Sequence, residues 1–175
     1  MVELTSKDRL QPSLLDRLLD QEPEKISESL EARALTRPQL RAAVLRDLSW
    51  LLNAVRQEPD EKSSMQAEVA NWRDADLARR SVLNFGLPAF SGFSISSMNS
   101  GAVERSVAEA IRTFEPRLDP KTVVVELLPS DGNHHNTMRL VIRAQMWSQP
   151  VPLDLLLSAA MDAETGATHV RELRA

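Results

Sequence analysis

Apolar residues recur at helical spacing through roughly the first two thirds of the chain, then alternate with polar ones in the last third. Pro12 to Asp20 carries Leu14, Leu15, Leu18 and Leu19 before Glu22 and Pro23 end the run. This stripe predicts a short amphipathic helix, equally suited to packing back on the domain or to docking on a partner. Thr36-Arg37-Pro38 has the make-up of a helix start, because threonine accepts from free N–H groups and proline is tolerated in the first turn. The helix expected there runs from Pro38 to about Gln57, with Leu40, Val44, Leu48, Leu51, Leu52 and Val55 as its apolar positions; Arg41, Arg46, Asp47 and Arg56 fall mostly elsewhere. Asp60 to Gln66 reads as a loop. A second helix is expected from near Asp74 to Phe85, with Gly86 as its left-handed cap and Pro88 beyond it. Ser91 to Gly101 reads as a loop. A third helix, capped by Ser100, places Val103, Val107, Ala110, Ile111 and Phe114 on one face and stops at Pro116.

That apolar face needs a surface to lie on. Thr122 to Leu128, Met138 to Trp147, Val151 to Met161 and Thr168 to Leu173 read as strands. In the second of these, Met138, Leu140, Ile142, Ala144 and Met146 alternate with Arg139, Val141, Arg143, Gln145 and Trp147, the period of a sheet with one buried face. Asp131-Gly132 and Glu164-Thr165-Gly166 supply turn residues, so neighbouring strands are expected to form antiparallel hairpins. The expected fold class is α+β: N-terminal helices followed by a mostly antiparallel sheet with helices packed on one face. Residues 1–36 read as a helical arm and residues 37–175 as the α+β domain.

With 175 residues, 42% hydrophobic and 26% charged, the chain is long enough to bury a core without disulfides or metal. Apolar runs such as Val151 to Leu157 are too short to cross a bilayer, so no direct membrane insertion is expected. Met1 to Asp8 contains acidic residues and lacks the apolar region of a secretory signal, which predicts a cytoplasmic protein. The absence of cysteine excludes disulfides, a thiol nucleophile and thiolate metal ligands. A net charge of −4 without a block of Lys or Arg argues against nucleic acid. Three Trp, four Phe and no Tyr leave little material for a stacking cleft. Protein partners remain.

No motif calls for a cofactor. His134-His135 is a tandem in a polar stretch with His169 distant in sequence, and a metal site needs three or four convergent ligands, so none is expected. No GxSxG, Walker A or GxGxxG pattern occurs. A glycosidase needs two suitably spaced carboxylates, and counting 25 acidic residues neither supports nor removes that option. Glu115 is the best placed acid, but Arg117, two positions on, would favour its ionised form and make it a poor general acid. Pro116 fixes the backbone between them, so Glu115, Pro116 and Arg117 form a stiff corner. The residues alone leave a recognition device and a surface ion pair equally open. As a recognition device, the corner is expected to lose partner binding but keep its fold when Glu115 or Arg117 is replaced by Ala, whereas unfolding would mark it as mainly structural.

Leu40-Arg41-Ala42-Ala43-Val44-Leu45-Arg46-Asp47-Leu48-Ser49-Trp50-Leu51-Leu52-Asn53 resembles the first-helix signature of the TssE family of type VI secretion baseplate subunits. Ser81 to Pro88, Phe114-Glu115-Pro116-Arg117-Leu118, Arg139 to Gln145, Pro150 to Leu153 and Asp162 to Gly166 are similar, in order, to later segments of that family. Phe85 departs from the Tyr common among its members. The resemblance covers roughly Arg37 to Leu173. It implies a non-catalytic baseplate component, in a wider family shared with phage-tail wedge proteins, some labelled lysozyme-like. It also implies that Glu115, Pro116 and Arg117 dock on the wedge proteins TssF and TssG, with TssK in the same baseplate, and that the β part templates the sheath of TssB and TssC. Thr168, Val170 and Glu172, in a short strand near the chain end, are the expected pairing edge, with Thr122 to Leu128 the alternative. The other readings are a peptidoglycan-cleaving enzyme and a small adaptor acting through its N-terminal helix.

Overall fold

Helix α1, Arg37–Asn53, starts where Thr36 and Pro38 place it. The Thr36 hydroxyl accepts from the Gln39 N–H, and the Gln39 side chain accepts from the Thr36 N–H at 2.8 Å, so two donors that helix geometry leaves open are satisfied. The computed structural model describes residues 36–60, 63–90, 99–129, 137–146 and 152–173, with Ser13, Asp16, Leu18 and Glu24 before them. Most of Pro12 to Asp20, the body of the Ser91 loop, Asp131-Gly132, His134-His135 and Trp147 lie outside the described residues.

α1 ends at Asn53, short of Gln57. The chain turns extended there because main-chain bonds to a distant segment replace further helical ones: the Arg56 N–H donates to Leu87 O and the Leu87 N–H to Ala54 O, both at 2.9 Å. Val55, expected on the buried stripe, is therefore exposed. Gly86 sits at this crossing with φ +127°, and an added Cβ would come within 2.5 Å of Ala54 O. Its lack of a side chain serves this close approach rather than the end of a long helix.

A helix α2, Gln66–Arg73, precedes Asp74, and the continuous helix expected from Asp74 to Phe85 is instead α3 Asp76–Arg79 and a 3₁₀ turn Val82–Asn84. Leu77, Val82 and Leu83 are 86%, 83% and 66% exposed, so no packed face holds one helix together here. Buried Asn84 also takes over main-chain groups: its amide donates to Arg79 O and its Oδ1 accepts from the Glu58 N–H. α4, Ser100–Phe114, has the expected apolar face, burying Val103, Val107, Ala108, Ala110 and Ile111, but its cap is Asn99, whose Oδ1 accepts from the Ala102 N–H.

The sheet consists of β1 Val124–Leu128, β2 Thr137–Met146, β3 Leu153–Asp162 and β4 Thr168–Glu172, in that spatial order and antiparallel throughout. Thr122 precedes β1 in a turn, where its N–H donates to Asp119 O. The register aligns Leu127, Leu140, Ala159 and Val170 in one row and Val125, Ile142, Leu157 and Glu172 in the next, all on the helix-covered face. Met138, Leu140, Ile142, Ala144 and Met146 are buried as their alternation requires, while Arg143 and Gln145 are exposed on the opposite face. α1 lies against β4 and α4 against β1, and the two helices touch, closing one apolar core. Helices on one face of an antiparallel sheet make this an α+β fold. No helix among the described residues is long and apolar enough to cross a membrane.

Gly86→Ala is expected to lower unfolding free energy by about 3 kcal/mol, since a positive φ and a backbone clash act together. Gly166→Ala, at φ +74° with nothing near the added carbon, is expected to cost about 1 kcal/mol. Urea denaturation of the two variants checks the difference; equal losses would remove the close approach as the reason for Gly86.

Candidate functional site

At the end of α4 the chain cannot continue as helix into Pro116, and Glu115 takes φ −117° and ψ 81°. This turn points the Glu115 carboxylate inward, where the residue is only 3% exposed. Its charge is met from two residues on. The Arg117 N–H and Nε donate to Glu115 Oε1 at 3.1 and 2.6 Å, and Nη2 donates to Oε2. Nη2 also donates to Asp47 Oδ2 of α1 at 2.5 Å. Asp47 accepts in turn from Arg46 Nε at 2.8 Å, and Arg46 Nη1 donates to Asp16 at 2.6 Å. A line of alternating charges therefore runs Glu115, Arg117, Asp47, Arg46, Asp16, with the exposed Trp50 ring 5.2 Å from the Arg46 guanidinium carbon.

Burial alone would push the Arg117 guanidinium down, but the bonds to Glu115 and then to Asp47 outweigh it and hold it above its usual value. Arg46 is raised by its hydrogen bonds to Asp47 and Asp16. Burial would push the Asp16 carboxyl up, yet bonds from Arg46 and Ser13 bring it below the ordinary carboxylate value. The structure thus makes the Glu115–Arg117 pair part of the folded core's edge, with Pro116 exposed at its tip. Glu115 is not presented outward as its place in the corner suggested. Two donors of the line, Arg117 Nη1 and Arg46 Nη2, are shielded from solvent and have no acceptor among the described residues.

Thr168, Val170 and Glu172 lie elsewhere, on β4, and are not brought together with Glu115. The Leu173 N–H donates to Leu156 O, and the Asp162 N–H to Ala167 O. By the antiparallel alternation, His169 and Arg171 face β3, whereas the N–H and C=O groups of Thr168, Val170 and Glu172 face outward. Their side chains are on the helix side. Val170 packs against the core, and the Glu172 carboxylate pairs with Arg41 of α1, whose Nη2 also donates to Asp154 O at 2.9 Å. The opposite edge is partly engaged by α4: Glu104 accepts from the Leu127 N–H at 2.8 Å and Arg112 donates to Val123 O at 2.7 Å. Asp47, Arg46 and Asn53 all belong to a helix whose apolar stripe the sequence shows, but nothing local marks which polar residues beside that stripe meet distant partners.

Among the described residues, no group of three or more His, Asp or Glu side chains converges as a metal site would require. A cleft of about 440 Å³ between α4 and the segment before Gly86 is rich in arginine; Arg56 Nε and Arg79 Nε are shielded there without a hydrogen-bond partner among the described residues, but acids of the chain meet several of its charges. There, Arg79 pairs with Glu58, Arg80 with Asp76, and Arg112 donates to Pro120 O and Val123 O.

Glu115→Ala is expected to lower stability by about 3 kcal/mol, because it leaves the half-buried Arg117 with a single acid partner. Thermal and urea unfolding test this; a loss under about 0.5 kcal/mol, as at an ordinary surface position, would contradict the structural role. A family model described as baseplate wedge protein gp25 matches residues 38–151, from the first turn of α1 to the end of the β2–β3 connection. No curated protein and no solved structure matches the chain.

Proposed function

This chain belongs to the baseplate wedge protein gp25 family, and from that premise we propose that it is a TssE-type structural subunit of a type VI secretion baseplate. In this reading it is cytoplasmic and non-catalytic, docks on the wedge proteins TssF and TssG beside TssK, and starts polymerisation of the TssB–TssC sheath. Residues 37–175 form the working domain and residues 1–36 an arm. The family match carries the reading, since it spans α1, the Glu115-Pro116-Arg117 corner and the first two strands in one segment.

The geometry supports each part differently. At the corner, the rigid component is Glu115, which positions Arg117; the component a partner can meet is Arg117 with Pro116. Orphaned donors on Arg117 and Arg46 favour an incoming acceptor, because an unpaired buried donor costs about 1–3 kcal/mol. Trp50 beside Arg46 adds the residue types that dominate protein interfaces. At the sheet, β4 is the edge whose main chain remains open at Val170 and Glu172, which suits addition of a partner strand. It lies beyond the matched residues, so the sheath assignment rests on edge geometry. The peptidoglycan-cleaving alternative gains nothing, since the best placed acid is buried and held by arginine.

Arg117→Lys, which keeps a counter-charge for buried Glu115 but removes the free Nη1 donor and the planar fork, is expected to weaken binding to a TssF–TssG core by about tenfold while the variant stays folded. Calorimetric titration measures it, and unchanged affinity in a folded variant would defeat the docking assignment.

At β4, Val170→Pro removes an outward donor and is expected to abolish sheath assembly in cells with wedge binding intact. His169→Pro removes a donor to β3 and is expected to unfold the hairpin instead. Circular dichroism and microscopy of labelled sheaths separate the two effects. Normal sheath counts with folded Val170→Pro would move the template away from β4.

A further inference from the structure

The outward edge of β4 is not open along its whole length. Asn53, the last residue of α1, turns its carboxamide onto Thr168: Oδ1 accepts from the Thr168 N–H at 2.9 Å and Nδ2 donates to Thr168 O at 2.8 Å. These are the two bonds an opposing strand residue would make. Nδ2 also donates to Ser49 O at 2.7 Å, which anchors the carboxamide to the helix. The next outward-facing residues, Val170 and Glu172, have no main-chain partner on that side among the described residues.

We infer that Asn53 sets the register in which a strand from another chain adds to β4, by occupying Thr168 and leaving the window at Val170 and Glu172. The inference rests on β4 being the edge that receives the sheath strand. Edge pairing is largely indifferent to side-chain identity. A slip of one residue would turn every side chain of the added strand to the wrong face, but a slip of two keeps both faces. Side-chain pattern therefore leaves the two-residue slip open. Asn53 closes it towards Thr168, because a slipped strand must displace two hydrogen bonds made within the chain by a group already held in place. On the far side of the sheet, Glu104 and Arg112 engage the Leu127 N–H and Val123 O, so that edge is partly occupied as well. In a machine that repeats one subunit contact around a ring, a slip in the first contact would be carried into the rest.

The chain contains no cysteine, so a thiol introduced by Arg171→Cys, on the exposed outer face of β4, is the only one it carries. Combining this with single cysteines placed along the partner strand of a TssB–TssC sheath, and measuring disulfide yield in the assembled complex, reads the register directly. With Asn53 in place, one sheath position is expected to dominate. Asn53→Ala frees both Thr168 groups and is expected to raise the yield two residues away about tenfold. Asn53→Asp keeps the acceptor for the Thr168 N–H, loses the donor, and is expected to give the same shift more weakly. Asn53 is exposed at the helix end, so neither change opens the core. One dominant position, unshifted in both variants, would overturn the inference. Failure to capture any sheath position from Arg171→Cys while sheaths assemble would overturn the reading of β4 itself, and the inference with it.

Discussion

A carboxylate buried where a helix ends has to be neutralised on the spot, and much of this structure is arranged around that requirement. Glu115 turns inward because Pro116 forbids another helical turn, and Arg117 supplies the counter-charge through three donors. Arg117 then grips Asp47 on α1, so the ion pair also ties the end of α4 to the middle of the other helix. Immediately after it, Leu118 bridges to Met146 and the Asp119 N–H donates to Gln145 O, which fixes where the chain enters the sheet. Loss of the carboxylate would loosen the joint between the two helices and the start of β1 together.

α1 has a second set of obligations along its length. Asp47 faces the corner, while Arg41 and Asn53 reach Glu172 and Thr168 of β4 and Asp154 of β3. The same helix therefore positions both surfaces proposed for partners, and a shift of α1 would be felt at each. Each edge of the sheet is partly occupied by side chains of the helix beside it. α4 lies beside β1 with long charged side chains that reach its open groups, whereas α1 approaches β4 with a short amide that reaches Thr168 and an arginine that engages side-chain and β3 groups. On the β1 side the engaged groups are the Leu127 N–H and Val123 O, whereas on β4 both belong to Thr168, which leaves Val170 and Glu172 as one continuous outward stretch.

Periodicity and terminal chemistry were enough for much of the fold. The alternation from Met138 to Met146, the stripe of α1, the face of α4 and the Thr36 cap are local patterns, and each appears in the structure. Where the pattern failed, the presence or absence of a distant packing or pairing partner was responsible. Leu77, Val82 and Leu83 have helical spacing but nothing to pack on, and Ala54 to Arg56 leaves the helix to pair with residue Leu87.

The sequence by itself determined which residues could be paired or buried: an acid and an arginine held two positions apart by proline, strands with one apolar face, and a terminal strand short enough to be an edge. Only the tertiary structure decided that Glu115 is buried rather than presented, that Asp47 joins Arg117 from 70 residues away in the chain, and that Asn53 closes part of the β4 edge. The division has a single cause. Periodicity reports the environment of a residue relative to its own element, whereas the partner of a polar side chain depends on how separate elements are brought together, which no local pattern encodes.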